Sequence, residues 1–198
     1  MKERTYEASL SALYNPHDAI REKLRADLED LGRYISRCIR CPSGGGGIPG
    51  CGEPGSHVFM LAGRPGPEAT PLNPWGRWKE TFLRRVREEW GWNEKSFYFS
   101  TAVRCPIEKV DPAVLRRCSS YLCEELYISA PRLVVVSGKL AAVTLRATLG
   151  EEVPAKPRAG DLCSVSSLRF LFNLDVARIG EDEEAAVIFW DIIRRAPV

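Results

Sequence analysis

Histidine is nearly absent from this chain: two in 198 residues, His17 and His57. Methionine is equally scarce, at two. No apolar run approaches the roughly 18–20 residues of a membrane span, so no membrane partner is expected. The first residues, MKERTYEASLSALY, are charged and lack the apolar stretch of a secretory signal, so the chain is expected to be cytoplasmic. Charge of one sign is also missing. The net value is +2, which does not by itself demand a nucleic-acid partner. Any DNA-binding argument must rest on where the charges sit.

Cysteine, by contrast, is abundant, with seven residues. In a reducing compartment, clustered cysteines more often bind a metal or a cluster than form disulfides, hyperthermophiles excepted. Cys38-Ile39-Arg40-Cys41 can place two thiolates on one metal-sized site. Cys105 and Cys118 lie far downstream. Two close cysteines followed by two remote ones do not make a zinc ribbon, which needs paired CxxC. Thiolate-only ligation fits tetrahedral zinc or an iron–sulfur cluster. Scattered core cysteines or disulfides remain the other reading. Cys123 and Cys163 read as small buried hydrophobes. Cys51 is open as a substitute ligand, a disulfide partner or an exposed thiol.

The periodicity predicts a single α/β domain over 1–198. Residues 17–36 read as a helix, with Ile20, Leu24, Leu28, Leu31 and Ile35 on one face. A loop over 38–56, dense in glycine and proline, carries the CxxC at its head. Strands are expected at 57–62, 97–103, 132–137 and 162–165. Helices are expected at 77–90, from Asp111 to about 129, from 138 to 149, and over 181–195. Strands alternating with helices indicate a parallel sheet covered on both faces.

The order of features then resembles a known family. CxxC, a Gly-rich loop, a strand and a G-x-P-G turn (Gly63–Gly66) come first. Pro74-Trp75, a strand ending in Val103-Arg104-Cys105, Cys118 on a helix, and Pro131 through Gly138 to Ala141 follow. This set resembles the iron–sulfur branch of the uracil-DNA glycosylase superfamily, its family-four and family-five types, over about residues 34–175. The resemblance implies a three-layer αβα fold around a four-stranded parallel sheet. It also implies a 4Fe–4S cluster on Cys38, Cys41, Cys105 and Cys118, with zinc as the alternative cofactor. The partner it implies is DNA, and a replication or repair protein is a further expected partner of a monomeric chain.

The resemblance also names a base-binding pocket: Gly63, Pro65, Gly66, Trp75 and Thr101. Trp75 takes the stacking position of an aromatic. Gly63 stands where the family has its water-positioning acid. Thr101 stands where it has the uracil-reading Asn, and a hydroxyl cannot make a carboxamide's two-point contact. The His-bearing motif falls on Ser164-Val165-Ser166, without histidine. Substitute catalytic groups are Glu68, Ser164 and Ser166, each with a bland reading as a loop or turn residue. Ser167, Leu168 and Arg169 resemble the loop that fills the gap left by a flipped base; a short core helix is the other reading. Arg64, with Arg37, Arg40, Arg77 and Arg104, is expected on a phosphate-contacting rim. The function implied is a DNA-binding glycosylase-like protein that lacks ordinary uracil excision. An active glycosylase of altered base specificity is the first alternative, and a zinc-stabilised α/β interaction domain the second.

Overall fold

A computed structural model describes residues 16–41, 45–107 and 109–197. The chain runs α1 (Pro16–Ser36), β1 (Val58–Ala62), α2 (Arg77–Trp90), β2 (Phe97–Thr101), α3 (Pro112–Ser129), β3 (Leu133–Ser137), α4 (Gly138–Leu149), β4 (Leu162–Val165), β5 (Leu168–Asn173) and α5 (Glu183–Arg194). The sheet order is β2-β1-β3-β5-β4. The first four strands in that order are mutually parallel, and β4 runs antiparallel at the edge.

Composition explains the placement. VFMLA, FYFST and LVVVS are buried at every residue, as expected of strands covered on both faces. One face of the sheet packs Met60, Phe99 and Val135 against Phe82 and Val86 of α2 and Phe189 and Trp190 of α5. The other packs Phe59, Leu61 and Val136 against Leu122 of α3 and Leu145 of α4. The result is a three-layer αβα sandwich. Outside it, α1 adds Leu31 and Ile35 against Tyr121 of α3.

Local signals set the helix ends. The Asp111 carboxylate accepts from the Val114 amide at 2.8 Å, and Pro112 opens the helix behind it. The Asp182 carboxylate does the same for Ala185 at 2.9 Å. Gly91 ends α2 at φ 66°, a left-handed value that glycine adopts freely. Among the described residues, no helix is long and apolar enough to cross a membrane.

The fourth parallel strand is not the segment the sequence indicated. Leu162–Val165 is the antiparallel edge, with Leu162 56% exposed. Leu168–Asn173, expected as a loop or short helix, fills the parallel slot beside β3. Ser166, at φ 54°, turns the chain between the two strands. The apolar run Leu168–Phe172 is buried from Phe170 onward, so burial favours it over the half-exposed β4 for the interior position.

Candidate functional site

The four cysteines singled out in the sequence arrive from three directions. Cys38 and Cys41 follow the end of α1. Cys105 follows β2, and Cys118 lies on the buried side of α3. Cys38 packs beside Leu31, Ile35 and Tyr121, and Cys41 beside Val103, Leu115 and Cys118. Burial pushes the Cys105 thiol up, and Cys118, Cys38 and Cys41 push it further. Burial likewise raises Cys118. The Arg104 backbone amide and guanidinium oppose that rise, while Cys41 and Cys38 add to it. The four thiols are thus electrostatic neighbours. Tyr121 is pushed up to about 12, first by burial and then by its hydrogen bond to Cys38.

All seven cysteines are free thiols. Cys51 belongs elsewhere: its backbone pairs with Phe99 at the outer edge of β2, and its Sγ lies 3.6 Å from Lys79 Nζ. Cys123 is exposed and Cys163 is half-buried. Among the described residues, no group of three or more His, Cys, Asp or Glu side chains is drawn into a geometry that could hold a single metal ion.

The Gly-rich loop fastens this neighbourhood. Gly47 N donates to Ile35 O at 2.8 Å, and Ile48 N to Arg104 O at 2.7 Å. Gly46 sits at φ 85°, and a Cβ there would come within 2.4 Å of Ser36 O. Glycine is therefore required where the loop passes the end of α1. The Gly46 carbonyl in turn accepts from Cys105 Sγ at 3.6 Å. The glycines let one loop tie α1 to the segment after β2.

Behind the thiols lies a group the sequence did not disclose. Arg104 and Glu125 are each 1% exposed. Arg104 Nη2 donates to Glu125 Oε2 at 2.8 Å, and Nη1 donates to Oε1 at 3.1 Å and to Ser100 Oγ at 2.6 Å. Ser100 Oγ donates in turn to Glu125, and Gly50 N donates to Oε1 at 2.9 Å. Arg104, expected on a phosphate rim, is instead an interior residue. Its position beside Cys105 was readable in the sequence; its partner, 21 residues away on α3, was not.

The expected base pocket is filled. Trp75 is fully buried. Its indole N–H donates to Ser100 O at 2.8 Å, and its ring meets Phe99 and Phe82 edge-on at 5.2 and 6.2 Å. It is a core aromatic rather than a platform for a base. Thr101 is fully buried, with no hydrogen-bond partner for its hydroxyl. Gly63 and Pro65 are buried, and a Cβ on Gly63 would sit 2.9 Å from the Leu140 side chain. Gly66 closes the turn, its amide donating to Pro74 O at 3.0 Å. Arg64 is exposed on this face. Glu68 is exposed and ion-paired with Arg77.

The remaining expected residues stand at the wrong end of the sheet. Ser164 and Val165 pair with Arg169 and Leu168, and Arg169 is in register with Leu133, the first residue of β3. Ser164, Ser166, Ser167, Leu168 and Arg169 therefore lie at the amino ends of the parallel strands, with His57. Arg169 donates to Pro197 O at 2.8 Å. They cannot share a pocket with Gly63–Gly66, which follows the carboxyl end of β1. The segment that does follow the carboxyl end of the fourth parallel strand is Asn173-Leu174-Asp175, again without histidine. The apolar run ahead of it was the signal that located it.

Neither a family model nor a curated protein matches the sequence.

Proposed function

We propose that Cys38, Cys41, Cys105 and Cys118 hold a 4Fe–4S cluster in a DNA-binding protein built like the uracil-DNA glycosylases, one that does not excise uracil in the ordinary way. The observation that carries the cluster is the convergence of four thiols from three separate segments onto one neighbourhood. The donor set fits: all four are free cysteines, the ligand that iron–sulfur clusters take most often. Bound there, the cluster supplies a cross-link between α1, the end of β2 and α3, and no redox step is assigned to it.

What supports the loss of excision is the pocket. A glycosylase must receive a flipped base, read its edge and stabilise the departing anion. Trp75 is locked in the core, Thr101 replaces a carboxamide, and Glu68 is engaged with Arg77 on the surface. Exposed Arg37 and Arg64 remain beside the loops of this face as phosphate contacts. The reading is tested by incubating the anaerobically purified protein with oligonucleotides carrying single uracil, hypoxanthine or xanthine lesions, followed by alkali. Binding at low salt with no strand breakage is expected. Strand breakage at any lesion would show an active enzyme, and absence of binding would remove DNA as the partner.

A further inference from the structure

A cavity of about 450 Å³ opens where β3 and β5 end and α4 begins. Carboxyl ends of parallel strands are where open α/β sheets receive ligands, and the volume lies within the ordinary range for small-molecule sites. Neither the four thiols nor Gly63, Trp75 or Thr101 line it.

Its lining divides by chemistry. Val136, Ala142, Phe172 and Leu174 make an apolar floor. Lys139, Lys156, Arg158 and Arg178 stand around it, against one carboxylate, Asp175. Arg178 is ion-paired with Asp182. The side chains of Lys139, Lys156 and Arg158 have no hydrogen-bond or ion-pair partner among the described residues. Three unpaired cations against one carboxylate leave this concavity net positive and attractive to an anion. The rim is also held in place. Arg146 Nη1 bonds the carbonyls of Glu151 and Val153. At the far end, Gly160 N donates to Phe172 O at 2.8 Å, and Phe172 N to Asp161 O at 2.9 Å. The loop bearing Lys156 and Arg158 is thus tied to α4 on one side and to β5 on the other. Such preorganisation lowers the ordering cost of binding.

The carboxylate adds a feature. Asp175 Oδ1 accepts from Ala177 N at 3.0 Å. A Cβ on Gly138 would come within 2.7 Å of Oδ2, so only glycine admits the carboxylate this close to the start of α4. That oxygen suits a hydroxyl donor on the ligand rather than its anionic group.

We propose that this cavity binds an organic phosphate with an apolar body, as in a nucleoside monophosphate. Lys139, Lys156 and Arg158 take the phosphate, Val143 and Leu174 meet the body, and Asp175 accepts from a sugar hydroxyl. The phosphate belongs to a free nucleotide or to the end of a nucleic-acid strand. The site does not depend on the cluster or on the excision-deficient reading.

The test is calorimetric titration of the anaerobically purified protein with adenosine 5′-monophosphate, adenosine and inorganic phosphate. Adenosine 5′-monophosphate is expected to bind at one site, with the two fragments each weaker by about tenfold or more. The double variant Lys156→Ala/Arg158→Ala, both exposed positions, is expected to lose about tenfold in that affinity with circular dichroism and iron content unchanged. Competition by a 5′-phosphorylated oligonucleotide but not its unphosphorylated twin assigns the site to strand ends; competition by neither assigns it to free nucleotides. No binding of the monophosphate, equal binding by the double variant, or equal competition by both oligonucleotides overturns the proposal. Iron content and the lesion panel report on the earlier reading separately.

Discussion

Arg104 and Glu125 form a two-point ion pair inside the protein, with both side chains almost wholly excluded from solvent. Arg104 immediately precedes Cys105, and Glu125 lies two helical turns beyond Cys118 on α3. The pair joins the two elements that carry the buried thiols. Removing one partner strands a buried charge, which typically costs about 3–5 kcal/mol, whereas an apolar replacement of both is often tolerated. Glu125→Leu and Arg104→Met are each expected to destabilise the protein by that order, and the double variant to recover much of the loss. Denaturant unfolding of the three variants checks this. Additive single effects would show that the pair is not coupled.

On the proposed ligation the cysteines divide into two groups. Cys105→Ala or Cys118→Ala is expected to abolish iron binding, while Cys123→Ser leaves it intact, because Cys123 faces solvent. Cys51→Ser is also expected to retain the iron, since the Cys51 thiol lies beside Lys79 at the outer edge of β2. Iron assays on the four variants decide between this division and a ligand role for Cys51.

Protonation gives a signed expectation for the metal-free protein. Burial raises the Cys105 and Cys118 thiols and raises Tyr98 well above the usual phenol range. The folded state therefore holds these protons more tightly than the unfolded chain does. Their contribution to stability is complete below the ordinary thiol value, about pH 8.5, and is lost as pH rises beyond it. Midpoints of urea unfolding for apoprotein are expected to be level at neutral pH and to fall above that value. A midpoint that rises with alkali would contradict the assignment of these groups as buried and neutral.

Trp75 separates a core role from a pocket role. Its ring is enclosed by Phe82 and Phe99, and replacing a buried large aromatic by alanine costs about 3–5 kcal/mol. Trp75→Ala is expected to lower stability by that order, whereas Trp75→Phe, which keeps most of the packing but loses the N–H bond to Ser100 O, costs about 1–3 kcal/mol. Thermal unfolding measures both. Full stability in Trp75→Ala would place the ring at a ligand site.

The layers were legible because period and burial agree in them. The apolar stripe of Pro16–Ser36, the runs at Val58–Ala62 and Leu133–Ser137, and the Asp111-Pro112 helix start needed no long-range information. The order of β4 and β5 was not legible. Both are short apolar runs, and only the register against β3 decides which lies inside. That one exchange moved Ser164–Arg169 to the opposite end of the sheet and brought Asn173–Asp175 to the carboxyl end of the parallel strands. That Cys38 and Cys41 follow α1, Cys105 follows β2 and Cys118 lies on α3 was readable from their order along alternating elements. The Arg104–Glu125 pair was not, because a lone Glu on an amphipathic helix looks the same whether it faces water or a buried guanidinium.

Iron content is the most direct test of a cluster on Cys38, Cys41, Cys105 and Cys118. Protein purified without oxygen is expected to be brown and to carry about four iron atoms per chain, with the iron lost in Cys118→Ala. Colourless protein holding a single zinc, or iron retained undiminished when Cys118 is replaced, would contradict it.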